Sequence, residues 1–134
     1  MPVKFREVLK ELADDRVVVT NLRVGDVRCL EARPLAEWLK LEARIAERTD
    51  WSAEAMEFYD NFYLPGAQEC QLDSQGRLLV PPTLRDYAEL KKEVMFSGSR
   101  AKFRIWDKVK WQTVHAAGEQ IGVSVRGVMS ELGL

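Results

Sequence analysis

Apolar residues along this chain cluster in short stretches whose period alternates between that of a helix and that of a strand. Phe5, Val8, Leu9 and Leu12 recur at i, i+3, i+4 and i+7, one stripe of a short helix over 5–13, with Pro2 just ahead of its entry. Val17, Val18 and Val19 are consecutive and β-branched, which predicts a strand over Arg16–Asn21. Gly25 marks a turn within Asn21–Asp26, and Val27–Ala32 returns as a second strand. Pro34 then opens a long helix ending near Thr49–Asp50. Its apolar face is Leu35, Trp38, Leu39, Leu41, Ile45 and Ala46, against Glu37, Lys40, Arg44 and Glu47. Ser52 is placed to cap a further helix, with Glu54 and Glu57 at its positive end. That helix carries Met56, Phe58, Tyr59, Phe62 and Tyr63, an aromatic density that reads as core or subunit interface, and Pro65-Gly66 stops it.

The second half repeats the alternation. Glu69–Leu72 predicts a strand, Asp73-Ser74-Gln75-Gly76 a tight turn, and Arg77–Val80 the returning strand. Pro81-Pro82 ends ladder pairing and sets up a helix over Thr83–Leu90. Val94–Ser97 and Lys102–Trp106 predict strands about a Gly98-Ser99 turn, and Asp107 is placed to cap a helix over 108–120. Ser124–Leu132 predicts another helical turn or two, weakened by Gly118, Gly122 and Gly127. The halves echo each other. Pro2–Arg6 aligns with Pro81–Arg85, Val17–Thr20 with Val94–Ser97, and Trp38 with Trp111, in the shared order helix, strand, turn, strand, helix. Such repeated units stack into one core.

Composition narrows the function. The 134 residues carry a net charge of −1, so the chain is not a generic basic coat for nucleic acid. The charge is uneven: residues 1–68 hold 10 basic and 13 acidic side chains, residues 69–134 hold 10 and 8. A mildly basic half permits a local anion-binding face. Cys29 and Cys70 are the only cysteines; they make no disulfide framework and read as small buried hydrophobes. No apolar run approaches the roughly 20 residues that span a bilayer, and no secretory signal is visible, which predicts a cytoplasmic protein. His115 is the only histidine, which leaves no His-rich metal site or His pair, and it reads as a surface or interface residue. There is no Gly-rich phosphate loop. Nothing in the sequence brings Cys70 and His115 together as nucleophile and base. An enzyme, a cofactor, a metal site and a small-molecule substrate are therefore not expected.

Cys70-Gln71-Leu72-Asp73-Ser74-Gln75-Gly76-Arg77-Leu78-Leu79-Val80-Pro81-Pro82-Thr83-Leu84-Arg85 resembles the signature of the SpoVT–AbrB superfamily, and more narrowly of the MraZ family. Tyr63–Ala67 before this module, Phe103–Asp107 with Trp111 after it, and Phe5-Arg6-Glu7 and Pro34–Trp38 in the first half extend the resemblance over roughly Pro2 to Trp111. It implies an α+β fold of two AbrB-like swapped-hairpin repeats with pseudo-two-fold symmetry plus packing helices. The first repeat is N-terminally incomplete, because the chain enters where that repeat's own Asp-x-x-x-Arg turn would have ended. The implied division is 1–50 for the first repeat with its long helix, 51–68 for the aromatic connector, 69–111 for the second repeat and 112–134 for a helical tail. The implied function is transcriptional regulation, as a repressor, of the division and cell-wall gene cluster. A ring-like homo-oligomer would bind repeated boxes in double-stranded promoter DNA in the nucleoid. The alternatives are an AbrB-like antitoxin and an oligomeric protein-interaction module without DNA binding.

Asp73 and Arg77 match the family's Asp-x-x-x-Arg motif, associated with DNA binding. Arg77 can fork two N–H groups at a phosphate or at guanine O6 and N7. Gln75 at the turn tip can read adenine or touch phosphate, Ser74 is a neutral phosphate donor, and Arg85 supplies a second cation. The family more often has a basic residue near Ser74 or Gln75, which implies weaker binding here. Asp73 is expected to shape the turn and orient Arg77. From the residues alone, the leading reading of Asp73 and Arg77 is a structural ion pair only. Arg100, Lys102 and Arg104 read as a basic extension or a solvated edge strand.

Overall fold

The computed structural model describes residues 3–12, 14–98, 101–119 and 129–133. Its centre is a five-stranded antiparallel sheet in the order β3-β1-β2-β5-β4. The strands are β1 (Arg16–Val24), β2 (Val27–Pro34), β3 (Gln68–Gln71), β4 (Val94–Gly98) and β5 (Phe103–Asp107). The helices are α1 (Val3–Leu12), α2 (Leu35–Glu47), α3 (Ala53–Phe58), α4 (Pro82–Tyr87) and α5 (Lys108–Glu119). This is the α+β class that the resemblance implied.

The period-2 alternation of β1 explains the two-sided core. Val17 and Val19 face a cluster with Phe5 and Leu9 of α1, Leu84 of α4 and its C-cap Ala88, and Leu30, Phe103 and Ile105. Val18 faces the other way, onto Trp38 of α2 and Tyr63. Val17, Val19, Leu30 and Phe103 are at most 1% exposed, and each fully buried side chain of this size contributes roughly 1.5–3 kcal/mol. The β1–β2 hairpin turns on Gly25 at φ +59, at the first of two central residues, where a right-twisted hairpin favours glycine.

The pairing of the two halves is symmetric. Val17 lies opposite Pro34 in the first hairpin and Val94 opposite Asp107 in the second. At the centre Leu30 pairs with Ile105, Glu31 with Arg104 and Ala32 with Phe103. Exchanging 30–32 with 103–105 leaves this register unchanged, so a local two-fold passes through the Glu31–Arg104 pair. The offset of 73 residues is the one that aligns Trp38 with Trp111. The helices follow suit: Phe5 and Leu9 on α1, and Leu84 on α4 with its C-cap Ala88, are buried at matching positions.

Four local details differ from the pattern-based expectations. β1 runs to Val24, three residues beyond the expected end, because Asn21 to Val24 continue to pair with Leu30 to Val27. Arg77–Val80 does not return as a strand: only a Leu72–Leu78 bridge forms, because Pro81 and Pro82 follow at once and the segment turns into α4. α3 widens into a π-helical turn at Tyr59–Tyr63, and Tyr63 is buried. Leu39 is 55% exposed, on the outer side of α2. The C-terminal helical turn expected within 124–132 falls largely outside the described residues, as do Ser99, Arg100 and Pro2.

Candidate nucleic-acid interface

The turn after β3 is built by Asp73. Its Oδ1 accepts from the backbone N–H of Gln75 (2.9 Å) and of Arg77 (2.8 Å), and its Oδ2 accepts from Arg77 Nε (2.7 Å). The main chain closes the same loop, with Asp73 N donating to Arg77 O (2.8 Å) and Gly76 N donating to Asp73 O (3.0 Å). Gly76 sits at φ +76, a conformation that only glycine adopts without strain. The hydrogen bond from the Arg77 backbone N–H is the main reason the Asp73 carboxyl lies below the usual carboxylate range; the Arg77 side chain and the Gln75 N–H add to it. Asp73 thus stays ionised and acts as the frame of the turn.

Arg77 is aimed rather than buried. Its Nε is tied to Asp73, while its side chain is 71% exposed. A surface ion pair of this kind adds little stability; its consequence is orientation, since it leaves the outer edge of the guanidinium facing solvent. Ser74 and Gln75 are exposed at the tip. Arg85, on α4, is exposed and lines a groove of about 520 Å³ together with Arg77 and Lys91. The predicted residues therefore divide between Asp73, Ser74, Gln75 and Arg77 in the turn and Arg85 across the adjoining groove.

On its other side the turn rests on α1. Arg6, Lys10, Asp14 and Arg16 line a hollow with Leu72, Asp73, Ser74 and Gly76. Arg6 lies so close that a Cβ on Gly76 would stand 3.0 Å from its Cδ. Arg6 was not singled out from sequence as a site residue, although the repeat places it opposite Arg85. Arg16 is already engaged: its Nε and Nη2 grip Asp14 at 2.9 and 2.8 Å, and Arg16 holds the Asp14 carboxyl down to about 2.

The other candidates carry no chemistry of this kind. Cys29 and Cys70 are buried free thiols, as their apolar surroundings predicted. Burial pushes the Cys29 thiol up to about 12. His115 is exposed and stacks on Trp111 with ring centroids 4.8 Å apart. Arg104 and Glu31 face each other at 3.9 Å at the sheet centre. Among the described residues no group of His, Cys, Asp and Glu could hold a metal ion, and no helix is long and apolar enough to cross a membrane.

Comparison with known proteins places the module in context. A family model described as "MraZ protein, putative antitoxin-like" matches residues 63–125. Over 134 residues the chain is 34% identical to a protein named transcriptional regulator MraZ from Halothermothrix orenii, covering all of this chain and 88% of that protein. Over 135 residues it is 37% identical to the protein of that name from Caldicellulosiruptor saccharolyticus, again covering 100% and 88%. The protein of the same name from Syntrophobacter fumaroxidans is 40% identical over 111 residues, covering 83% of this chain and 71% of that protein.

Proposed function

This chain belongs to the MraZ family, whose members named above are transcriptional regulators, and we propose that it regulates transcription by binding promoter DNA through the Asp73–Arg77 turn. The observation that carries the reading is the outward guanidinium of Arg77, fixed through Nε by Asp73 and 71% exposed. Arg77 contacts a phosphate or a guanine edge in the major groove, Ser74 and Gln75 add neutral contacts, and Arg85 secures the flanking phosphate. Asp73 does not touch DNA; it holds Arg77 in place.

Energetics argue for several copies acting together. One good bidentate base contact discriminates by roughly 1–3 kcal/mol, whereas specific DNA binding corresponds to about 11–15 kcal/mol. The Asp73 turn by itself falls far short, and repeated boxes read by a ring-like homo-oligomer supply the difference through effective concentration. The register symmetry of the sheet supports an arrangement of two swapped-hairpin halves within each protomer. The expected role is repression of the division and cell-wall gene cluster, in the cytoplasm at the nucleoid. The net charge of −1 favours, as a second reading, an oligomeric interaction module that does not bind DNA.

Fluorescence anisotropy with DNA from the protein's own upstream region tests the choice, comparing wild type with Arg77→Ala across a salt series. Specific binding that weakens steeply with salt, and a salt slope shallower by about 1 per chain in the variant, supports the regulator. Absence of preference over scrambled DNA, with the oligomer intact, supports the interaction module.

A further inference from the structure

The face of the sheet opposite α1 and α4 carries a cavity of about 280 Å³ between β2, α2 and α3. Its walls include Leu41, Ile45, Trp51, Met56 and Tyr59, and its floor is Glu31, Arg33 and Tyr63. The floor is unusual for an apolar cavity. The Glu31 side chain is buried and that of Arg33 largely so, 6% and 12% exposed, and the two are joined by a contact of 3.3 Å from Arg33 Nη2 to Glu31 Oε1. That same oxygen accepts from Tyr63 Oη at 2.5 Å, and the other carboxylate oxygen lies 3.9 Å from Arg104 Nε. Glu31 thus accepts from two donors with the Arg104 charge nearby, while Arg33 reaches Glu31 by one long bond, also bears on the Tyr63 hydroxyl, and keeps a buried Nε with no partner.

Charge bookkeeping at the floor leaves one positive charge over: Arg33 and Arg104 against Glu31. Arg104 is 38% exposed and screened by water, so the excess falls on Arg33. A largely buried cation with one long contact to Glu31, a second to the Tyr63 hydroxyl and an unpartnered Nε is under-compensated, and burial of a charge is costly unless it is paired and hydrogen-bonded. The other nearby acid, Glu42, lines the adjoining mouth and accepts from Trp38 Nε1. The walls are aromatic and aliphatic, and the volume lies near the lower end of the roughly 300–1,000 Å³ of small-molecule sites.

We propose that this cavity is a binding site for a small aromatic carboxylate, whose ring packs between Trp51, Met56 and Tyr59 and whose carboxylate takes the unused donors of Arg33. The molecule is a ligand rather than a substrate, since the cavity holds no nucleophile or general base beyond the committed Glu31. The site stands independently of DNA recognition. Its floor residue Glu31 is half of the central pair about which the two halves of the sheet are related, so occupancy is felt where the halves meet.

Isothermal titration and two-dimensional ¹H–¹⁵N NMR with benzoate, and with benzyl alcohol as the uncharged counterpart, test the proposal on the full chain. The expected result is saturable one-to-one binding of benzoate that shifts the Trp51 indole N–H and the Ala55 amide, with benzyl alcohol about tenfold weaker or more. Arg33→Met should erase that preference, and Met56→Trp, which fills the cavity, should abolish binding of both. If Arg33→Met fails to fold, the benzoate-to-benzyl-alcohol ratio on the wild type decides. Equal affinity for the two probes, undiminished binding in Met56→Trp, or no saturable binding overturns the proposal. No binding together with an oligomer lost in Met56→Trp overturns it in favour of a contact between copies.

Discussion

Tyr63→Phe isolates the hydrogen bond on which the buried polar centre depends. The substitution keeps the ring that stacks on Trp38 at 5.6 Å and 23° and removes only the hydroxyl that donates to Glu31 Oε1 at 2.5 Å. Tyr63 and Glu31 are 6% and 5% exposed, so water does not replace the lost donor. A hydrogen bond to a charged group contributes about 1.5–3 kcal/mol, and Glu31 would retain only Arg33 at 3.3 Å and Arg104 at 3.9 Å. A loss of about 2 kcal/mol is expected, read as a lower urea midpoint with an unchanged m-value. The pH dependence gives a second reading. Burial first, and Glu31 second, push the Tyr63 hydroxyl above the ordinary tyrosine range. Above about pH 10 the unfolded tyrosine loses its proton while the folded one keeps it, so this contribution is present below pH 10 and is lost as pH rises further. The gap between wild type and Tyr63→Phe should therefore narrow above pH 10. Tyr59 and Tyr87 are raised too, but they are common to both proteins and cancel in the difference. A variant within about 0.5 kcal/mol of wild type, inside the usual range of surface changes, would refute the assignment, as would a gap independent of alkaline pH.

Gly76→Ala should cost about 1–2 kcal/mol, the penalty of a left-handed residue bearing a Cβ, because Gly76 sits at φ +76 with Arg6 Cδ 3.0 Å from the added methyl; it should also weaken DNA binding in the anisotropy assay by misplacing Arg77. Both thiols should resist a disulfide reagent in the native state and react fully in urea, since Cys29 and Cys70 are 0% and 5% exposed. Because the folded Cys29 thiol lies at about 12 against an unfolded value of about 8.5, its stabilisation is complete below pH 8.5 and is lost as pH rises towards 12; Cys29→Ala should flatten that part of the stability profile. Asp14, held at about 2 by Arg16, contributes stability above about pH 4 that disappears as pH falls through 2, so Asp14→Asn should remove that acid limb from a chemical-denaturation series.

Much of the fold is legible in the sequence because it depends on local periodicity. The α1 stripe, the valine run of β1, Pro34 before α2 and the Ser52 cap, whose Oγ accepts from Ala55 N at 3.1 Å, each follow from neighbours a few residues apart. The Asp73 frame is legible for the same reason, since its bonds span at most four residues. What local pattern does not carry is pairing at a distance. Glu31 looks like a polar residue on a half-exposed strand; only the approach of Tyr63 from 32 residues away, and of Arg104 from the other half, makes it a buried hub. Arg33 and the cavity above it were missed on the same account. The segment Arg77–Val80 was read as a strand from its apolar run, but strand formation needs a partner, and it has only the bridge at Leu78.

The two halves of the sheet are equivalent in register yet unequal at their edges, and that inequality bears on how DNA would be read. β1 carries β3 on its outer side, and the Asp73 turn is loaded against α1 by that strand. β4 is the counterpart of β1, but among the described residues no strand pairs with its outer side. The corresponding seat is the groove lined by Leu78, Val80, Val94 and Phe96, with Arg85 standing where Arg6 stands on the other half. Among the described residues the sheet thus presents one framed arginine, that of the Asp73 turn. Under the proposed function the Asp73 turn offers one guanidinium with its neutral neighbours, and an oligomer would gain selectivity from the spacing of protomers along repeated boxes. Altering box spacing by half a helical turn would therefore weaken binding more than altering one box, because it removes a whole protomer's contact rather than one base pair's share of it.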